Sequence, residues 1–212
     1  MFTRPTVLLC NLNAGAVGPE ASKLLGTLLL NQLWDAIQRQ TMKPSHQRRV
    51  VQVIVDEFQT LTAGLDFSDV LARARGANVP ITVAHQHLDQ LSPTLKSAVL
   101  ANCRSRVAFR PAEGDGRALA AVLGGTVTAE DLERLPAFHA VARVLVSDAP
   151  CRAFEVATVP LPEPTNDVER LRKTSAERYG VDPAALDAAL VARWQGSDAR
   201  PDAPVGVRRK QS

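Results

Sequence analysis

Short apolar runs alternate along this chain with longer stretches in which apolar residues recur every three or four positions, the pattern of strands and helices in an α/β protein. The run Val50-Val51-Gln52-Val53-Ile54-Val55 lacks the polar alternation of a half-solvated strand, so it predicts a strand buried on both faces of a parallel sheet. Upstream, Thr6 to Leu12 predicts a first strand and Asn13 to Pro19 a turn-rich loop. The helix from Glu20 to Arg39 carries Leu24, Leu25, Leu28, Leu29, Leu33, Trp34 and Ile37, an apolar band wide enough to lie on a sheet. Downstream, Asp66 to Arg75 predicts a short helix with Phe67, Val70, Leu71 and Ala74 on one face, after a loop containing Gly64. Val79 to His85 predicts a third strand, Ser92 to Ala101 a helix, and Cys103 to Phe109 a fourth strand. A helix from Gly114 to Leu123 stops at Gly124-Gly125, and Thr128 caps a short one. Ala140 to Val146 and Ala153 to Val159 predict an antiparallel hairpin around Ser147-Asp148-Ala149-Pro150. Pro160, Pro162 and Pro164 stiffen a linker to two amphipathic helices, Asp167 to Tyr179 and Pro183 to Trp194. Residues 197–212 have no apolar periodicity and read as disordered.

Composition narrows the class. Of 212 residues 45% are hydrophobic and 22% charged, as in ordinary globular proteins, and no apolar run approaches the roughly 18 to 20 residues of a membrane span. A net charge of +3 argues against nucleic-acid binding across the whole surface, although basic residues cluster at Arg104/Arg106/Arg110, Arg170/Arg172/Lys173 and Arg208/Arg209/Lys210. Cys10, Cys103 and Cys151 show no CxxC spacing, which argues for small buried hydrophobes in a reducing compartment. Met1 to Pro5 lacks the features of a signal peptide.

The strand at Val50 ends in Asp56-Glu57, where α/β folds place their ligands. An apolar strand ending in two carboxylates is the Walker B arrangement: the first holds Mg²⁺ through its water shell, and the second orients or deprotonates the attacking water. A strand that merely opens a loop fits the same residues. Gln86, ending the next strand, can hold water and sense a terminal phosphate, or can simply cap the strand. His85 and His87 flank it without a third ligand nearby, weak grounds for a metal. His46 reads as solvated, and Arg73 and Arg75 suit a helix C-terminus. Gly15 to Lys23 superficially resembles a phosphate loop, but Pro19 and Glu20 stand where amides and a cation should face phosphate, and no GxxxxGK[ST] occurs in the chain.

Taken in order, Asp56-Glu57-Phe58-Gln59, Leu71-Ala72-Arg73-Ala74-Arg75-Gly76, Ala84-His85-Gln86-His87-Leu88-Asp89-Gln90-Leu91, Asn102-Cys103 and Val107-Ala108-Phe109-Arg110 resemble the C-terminal half of the motor domain of TraG/TraD-type type IV secretion coupling proteins. These conjugative DNA-transfer ATPases are relatives of the HerA/FtsK pumps. The resemblance covers residues 6–160, and Leu171 to Trp194 resembles a tail found on some members. It implies a partial RecA-like P-loop NTPase sheet lacking the Walker A strand, with a C-terminal β-hairpin and helical tail. The expected domains are 1–160 for the ATPase half, 161–196 for the linker and two-helix tail, and 197–212 for the disordered end.

Carried over by position, Asp56 is the Walker B aspartate, Glu57 the water-activating carboxylate, Gln86 the γ-phosphate sensor, and Arg75 an arginine finger reaching a neighbouring subunit's nucleotide. The resemblance also implies ATP and Mg²⁺ in an assembled motor, a homo-hexamer around DNA, and relaxosome or type IV secretion proteins as partners. The family's Walker A loop would precede Thr6, its strand lying between the strand ending at Gln86 and that holding Val107 to Phe109, so the chain is expected to lack a central strand and a nucleotide cradle. The family's membrane helices are not found either, so the expected location is cytoplasmic, or the inner face of the membrane through a partner. A competing expectation is a non-catalytic module that binds relaxosome protein or DNA.

Overall fold

Asn13 caps the first helical turn of the computed structural model, α1 (Ala14–Val17), by accepting the Gly15 N–H. The structure describes residues 5–61, 66–124, 126–147 and 149–197; Gly64, Gly125, Asp148 and the end expected to be disordered beyond Ser197 lie outside them. The chain divides into a unit of residues 1–159 and another of 160–212.

Pro19 opens the long helix α2 (Pro19–Thr41), as a residue without an N–H suits a first turn. Its buried line runs through Ser22, Gly26, Trp34, Ile37 and Gln40. Gly26 matters sterically: an added Cβ would meet Leu61 at 2.5 Å and Leu12 at 2.8 Å. The expected apolar band is only partly covered, for Leu24, Leu25 and Leu28 are exposed. Nor does Thr6 to Leu12 form a strand. Val7 and Leu9 are 84% and 88% exposed, and an apolar run becomes a strand only where a neighbour takes its backbone groups and a layer covers its face.

The Asp-Glu strand is β1 (Val53–Val55), shorter than its apolar run. A 3-10 turn (Phe58–Leu61) follows, and Asp66 caps α3 (Phe67–Arg73), which buries Phe67, Val70 and Leu71. Ala74 is buried just beyond the helix. Strand β2 (Ile81–Val83) pairs parallel to β1, Val53 opposite Ile81 and Val55 opposite Val83. Ser92 caps α4 (Pro93–Asn102), and β3 (Arg106–Phe109) comes next. Helices α5 (Gly116–Leu123) and α6 (Ala129–Glu133) follow, Thr128 and Asp131 forming a reciprocal capping box on α6. Strand β4 (His139–Arg143) lies antiparallel between β3 and the later strand, and β5 (Leu145–Val146) pairs with β6 (Ala149–Pro150) across the hairpin tip. The later strand is β7 (Phe154–Ala157), antiparallel to β4 as the hairpin pattern predicts.

Three sheets result, β1-β2, β3-β4-β7 and the small β5-β6 pair, and among the described residues no strand joins the first two. Val55, Phe58, Leu71, Leu88, Leu95 and Val99 form the largest core, while Trp34, Ile37, Val70 and Val79 form a second beside α2. Leu123, Leu132 and Val141 close a third over the antiparallel sheet. The expectation of a strand buried on both faces is corrected here: Ile54 is 70% exposed, as are Val107 at 60% and Phe109 at 51%. The central strand β4 is buried on both faces at Ala140, Val141 and Ala142, whereas β1 and β3 each leave one face exposed.

In the second unit, Asp167 caps α7 (Val168–Tyr179) by accepting the N–H groups of Glu169 and Arg170, and α8 (Pro183–Ser197) follows. Among the described residues, no helix is long and apolar enough to cross a membrane.

Candidate functional site

Because β1 and β2 run parallel, their carboxyl ends lie side by side. The Ala84 N–H donates to Val55 O at 3.0 Å, and the Phe58 N–H returns to Ala84 O at 3.2 Å. Phe58 is wholly buried, its ring 5.3 Å from Phe67 and edge-on to His85 at 5.8 Å, and this anchors the turn. Glu57 takes a left-handed φ of 49°, which costs a non-glycine residue about 1 to 2 kcal/mol and turns the chain sharply after the strand.

The strand-end carboxylates and Gln86 come together as the sequence pattern suggests. Asp56 Oδ1 accepts the Glu57 N–H at 3.0 Å. Gln86 Nε2 donates to Glu57 Oε1 at 2.7 Å. Two further residues, missed in the sequence, complete the group. Gln59 Nε2 donates to Glu57 Oε2 at 2.6 Å and to Gln90 Oε1 at 3.3 Å. Gln90 Oε1 also accepts the His87 N–H at 3.2 Å, so it caps the 3-10 turn Leu88–Gln90. Only the His-x-x-Gln spacing of a capping box hinted at Gln90; nothing local marked Gln59.

His85 lies behind this group. Burial pushes its pKa below the usual 6.5, opposed by the Asp115 and Glu57 carboxylates and reinforced by His87. A neutral imidazole results at neutral pH. Asp115 is itself buried and accepts the Leu88 N–H at 2.8 Å. Among the described residues, no three His, Cys, Asp or Glu side chains group as metal ligands.

Arg75 is elsewhere. It sits exposed in the turn after α3, before β2 begins, whereas Gln86 follows the far end of that strand. Within one chain the arginine is therefore at the opposite end of β2 from Glu57's partner. Its turn is held by Arg48, which donates to Gly76 O at 2.9 Å, Thr41 O at 2.8 Å and Lys43 O at 2.9 Å. Arg73 pairs instead with Asp69 along α3 at 2.6 Å.

The loop at Gly15 offers phosphate nothing. The Ala16 and Val17 N–H groups donate to Asn13 O, the Gly15 N–H to Asn13 Oδ1, and the Gly18 N–H to Ala14 O. Its amides are consumed in capping their own turn.

The first unit is thus mixed α/β, with carboxylates and a glutamine at the ends of adjacent parallel strands, where such folds place their ligands. Residues 50–134 match the family described as the TraM recognition site of TraD and TraG. Among solved structures, the plasmid coupling protein TrwB in complex with ADP and Mg²⁺ is similar at a TM-score of 0.53 and 15% identity, over 70% of this chain and 38% of that one. TrwB with the non-hydrolysable ATP analogue ADPNP gives 0.52 and 15%, over 68% and 37%. TrwB with the GTP analogue GDPNP gives 0.53 and 15%, over 70% and 38%. The chain thus spans well under half the length of these structures. No curated protein sequence matches. The fold is a partial RecA-like NTPase fold, and the family match is to residues 50–134 of the chain.

Proposed function

We propose that this chain is the C-terminal half of a DNA-translocating ATPase of conjugative transfer, supplying water activation, phosphate sensing and an arginine that works between subunits. The observation that carries this reading is the Gln86–Glu57 hydrogen bond at the ends of two parallel strands, within the segment that matches the TraD and TraG family. The strand-end groups fit the carboxylate side of a nucleotide and Mg²⁺ site, but the described loops do not fit the phosphate side, because the amides at Gly15 to Gly18 are spent internally. A P-loop half must therefore complete the site, and bound ATP with Mg²⁺ supplies the phosphoryl group transferred to water.

Within such a site Asp56 would help to hold Mg²⁺, and Glu57 would take the proton of the attacking water at a carboxylate oxygen. Gln86, bonded to that carboxylate, orients the water and reads the terminal phosphate. Arg75, at the opposite end of β2, serves a neighbouring subunit's site in a hexameric ring around DNA. Any membrane association comes through a partner or another part of the protein.

The test is co-expression with a P-loop half. The expected result is DNA-stimulated hydrolysis that Glu57→Gln abolishes, with none by the chain alone at a motor-like rate of about 1 per second or faster. Hydrolysis by the chain alone that is sensitive to Glu57→Gln overturns the need for a second half. The family description of residues 50–134 favours one second reading, a docking module for a relaxosome protein. Tight binding of a TraM-type protein, in an assembly whose hydrolysis ignores Glu57→Gln, would support that reading instead.

A further inference from the structure

We propose that Gln59 is a positioning residue for the Glu57 carboxylate and that Gln90 sets its orientation, a role that rests on the water-activating function proposed for Glu57. A primary amide has two N–H donors, and here both are committed: one to Glu57 Oε2 at 2.6 Å and one to Gln90 Oε1 at 3.3 Å. Direction in this chain of bonds begins at the backbone. The His87 N–H can only donate, so it requires an oxygen from Gln90. The same oxygen then requires a nitrogen from Gln59, whose other N–H meets a carboxylate that accepts. Reversing Gln90 would set donor against donor, and reversing Gln59 would set acceptor against acceptor.

Gln86 holds the remaining carboxylate oxygen at 2.7 Å, so Glu57 is gripped by one donor on each oxygen, from two different strand ends. Each oxygen keeps lone-pair capacity for water. The main chain is fixed as well: Glu57 O accepts the Thr60 N–H at 3.0 Å and the Thr60 hydroxyl at 2.8 Å, closing the 3-10 turn that brings residue 59 back under residue 57. A glutamate alone has three side-chain torsions to order before it can take a proton in line. The two amides do that ordering beforehand.

Consequently Gln59 acts through Glu57. Replacing it should lower turnover without weakening nucleotide binding. The test has two arms. In the chain itself, Gln59→Met keeps length and removes both donors, and ¹⁵N spectra of the side-chain amides report the clamp. The Gln86 and Gln90 signals are expected to shift in Gln59→Met, with the thermal midpoint nearly unchanged. In the protein assembled with its P-loop half, Gln59→Met is expected to lower kcat roughly 10- to 100-fold with the KM for ATP unchanged. Gln59→Met with Gln90→Leu should then be no slower than Gln59→Met alone, because Gln90 reaches the Glu57 carboxylate through Gln59. Unmoved Gln86 and Gln90 amide signals, an unchanged kcat, or multiplicative losses in the double variant would each overturn the proposal. If the unsubstituted assembly hydrolyses no ATP, or ignores Glu57→Gln, the proposed function fails and the catalytic part of this role fails with it, while the amide spectra still decide whether the clamp exists.

Discussion

The buried carboxylate of Asp115 accepts the backbone N–H of Leu88 at 2.8 Å, across 27 positions of sequence. It ties the start of α5 to the turn that bears Gln90, and its charge also acts on His85. Removing the acceptor in Asp115→Leu leaves a buried N–H unpaired and should cost about 1 to 3 kcal/mol in urea unfolding. Asp115→Asn keeps an acceptor and should cost less.

The same neighbourhood sets an acid-side stability slope. Burial holds folded His85 below 6.5, so between that lowered value and 6.5 the unfolded chain binds a proton that the folded one refuses. The His85 contribution is therefore intact above about pH 6.5 and is lost as pH falls through the folded pKa. His85→Gln should flatten this part of a stability profile taken between about pH 7.5 and 5. Asp115→Asn should steepen it, since that carboxylate opposes the shift. A slope unchanged by His85→Gln would place the titrating group elsewhere.

Arg75 and Glu57 should behave as residues of different subunits' sites. In an assembled motor, Arg75→Ala is expected to lower turnover by roughly 10³-fold or more with nucleotide affinity retained. Mixing Arg75→Ala with Glu57→Gln protein should recover part of the rate, since some interfaces then join an intact arginine to an intact carboxylate. Mixed rings that form without any recovery would argue for action within one chain.

Arg48 spans three backbone carbonyls, of Thr41, Lys43 and Gly76, a reach that needs the guanidinium fork. Arg48→Ala should cost about 1 to 2 kcal/mol, and Arg48→Lys should recover little of it, because a point-like ammonium cannot bridge these acceptors. Faster hydrogen exchange in the turn at Ala74 to Asn78 would locate the loss. Full rescue by lysine would mean that charge, not geometry, is the contribution.

The outer edges of β2 and β3 should be the weak places of the first unit. Each strand pairs with one neighbour, and Ile54, Val107 and Phe109 lie exposed on the sheet faces. Hydrogen exchange should show fast amides along Ile81–Val83 and Arg106–Phe109, and sizing should show concentration-dependent association. A compact monomer with both strands fully protected would mean that the edges are covered.

Local pattern was enough to find most of the elements and the strand-end residues that the fold brings together. Asp56, Glu57 and Gln86 are legible because each ends an apolar run, and parallel strands bring such ends together whatever the intervening chain does. The caps at Ser92 and Thr128, and the helix starts at Asp66 and Asp167, were legible for the same local reason: they act within one turn. Gln59, Gln90 and Asp115 were not, since their bonds join positions that only the packed sheet and its turns bring within 3.3 Å. Burial was misjudged at Ile54 and Leu24 because hydrophobicity states what a side chain favours, while cover requires a second layer at that place. The apolar run at Val7 shows the same division: its residues favour a strand, but strand formation also needs a neighbouring edge, and that is a property of the whole fold.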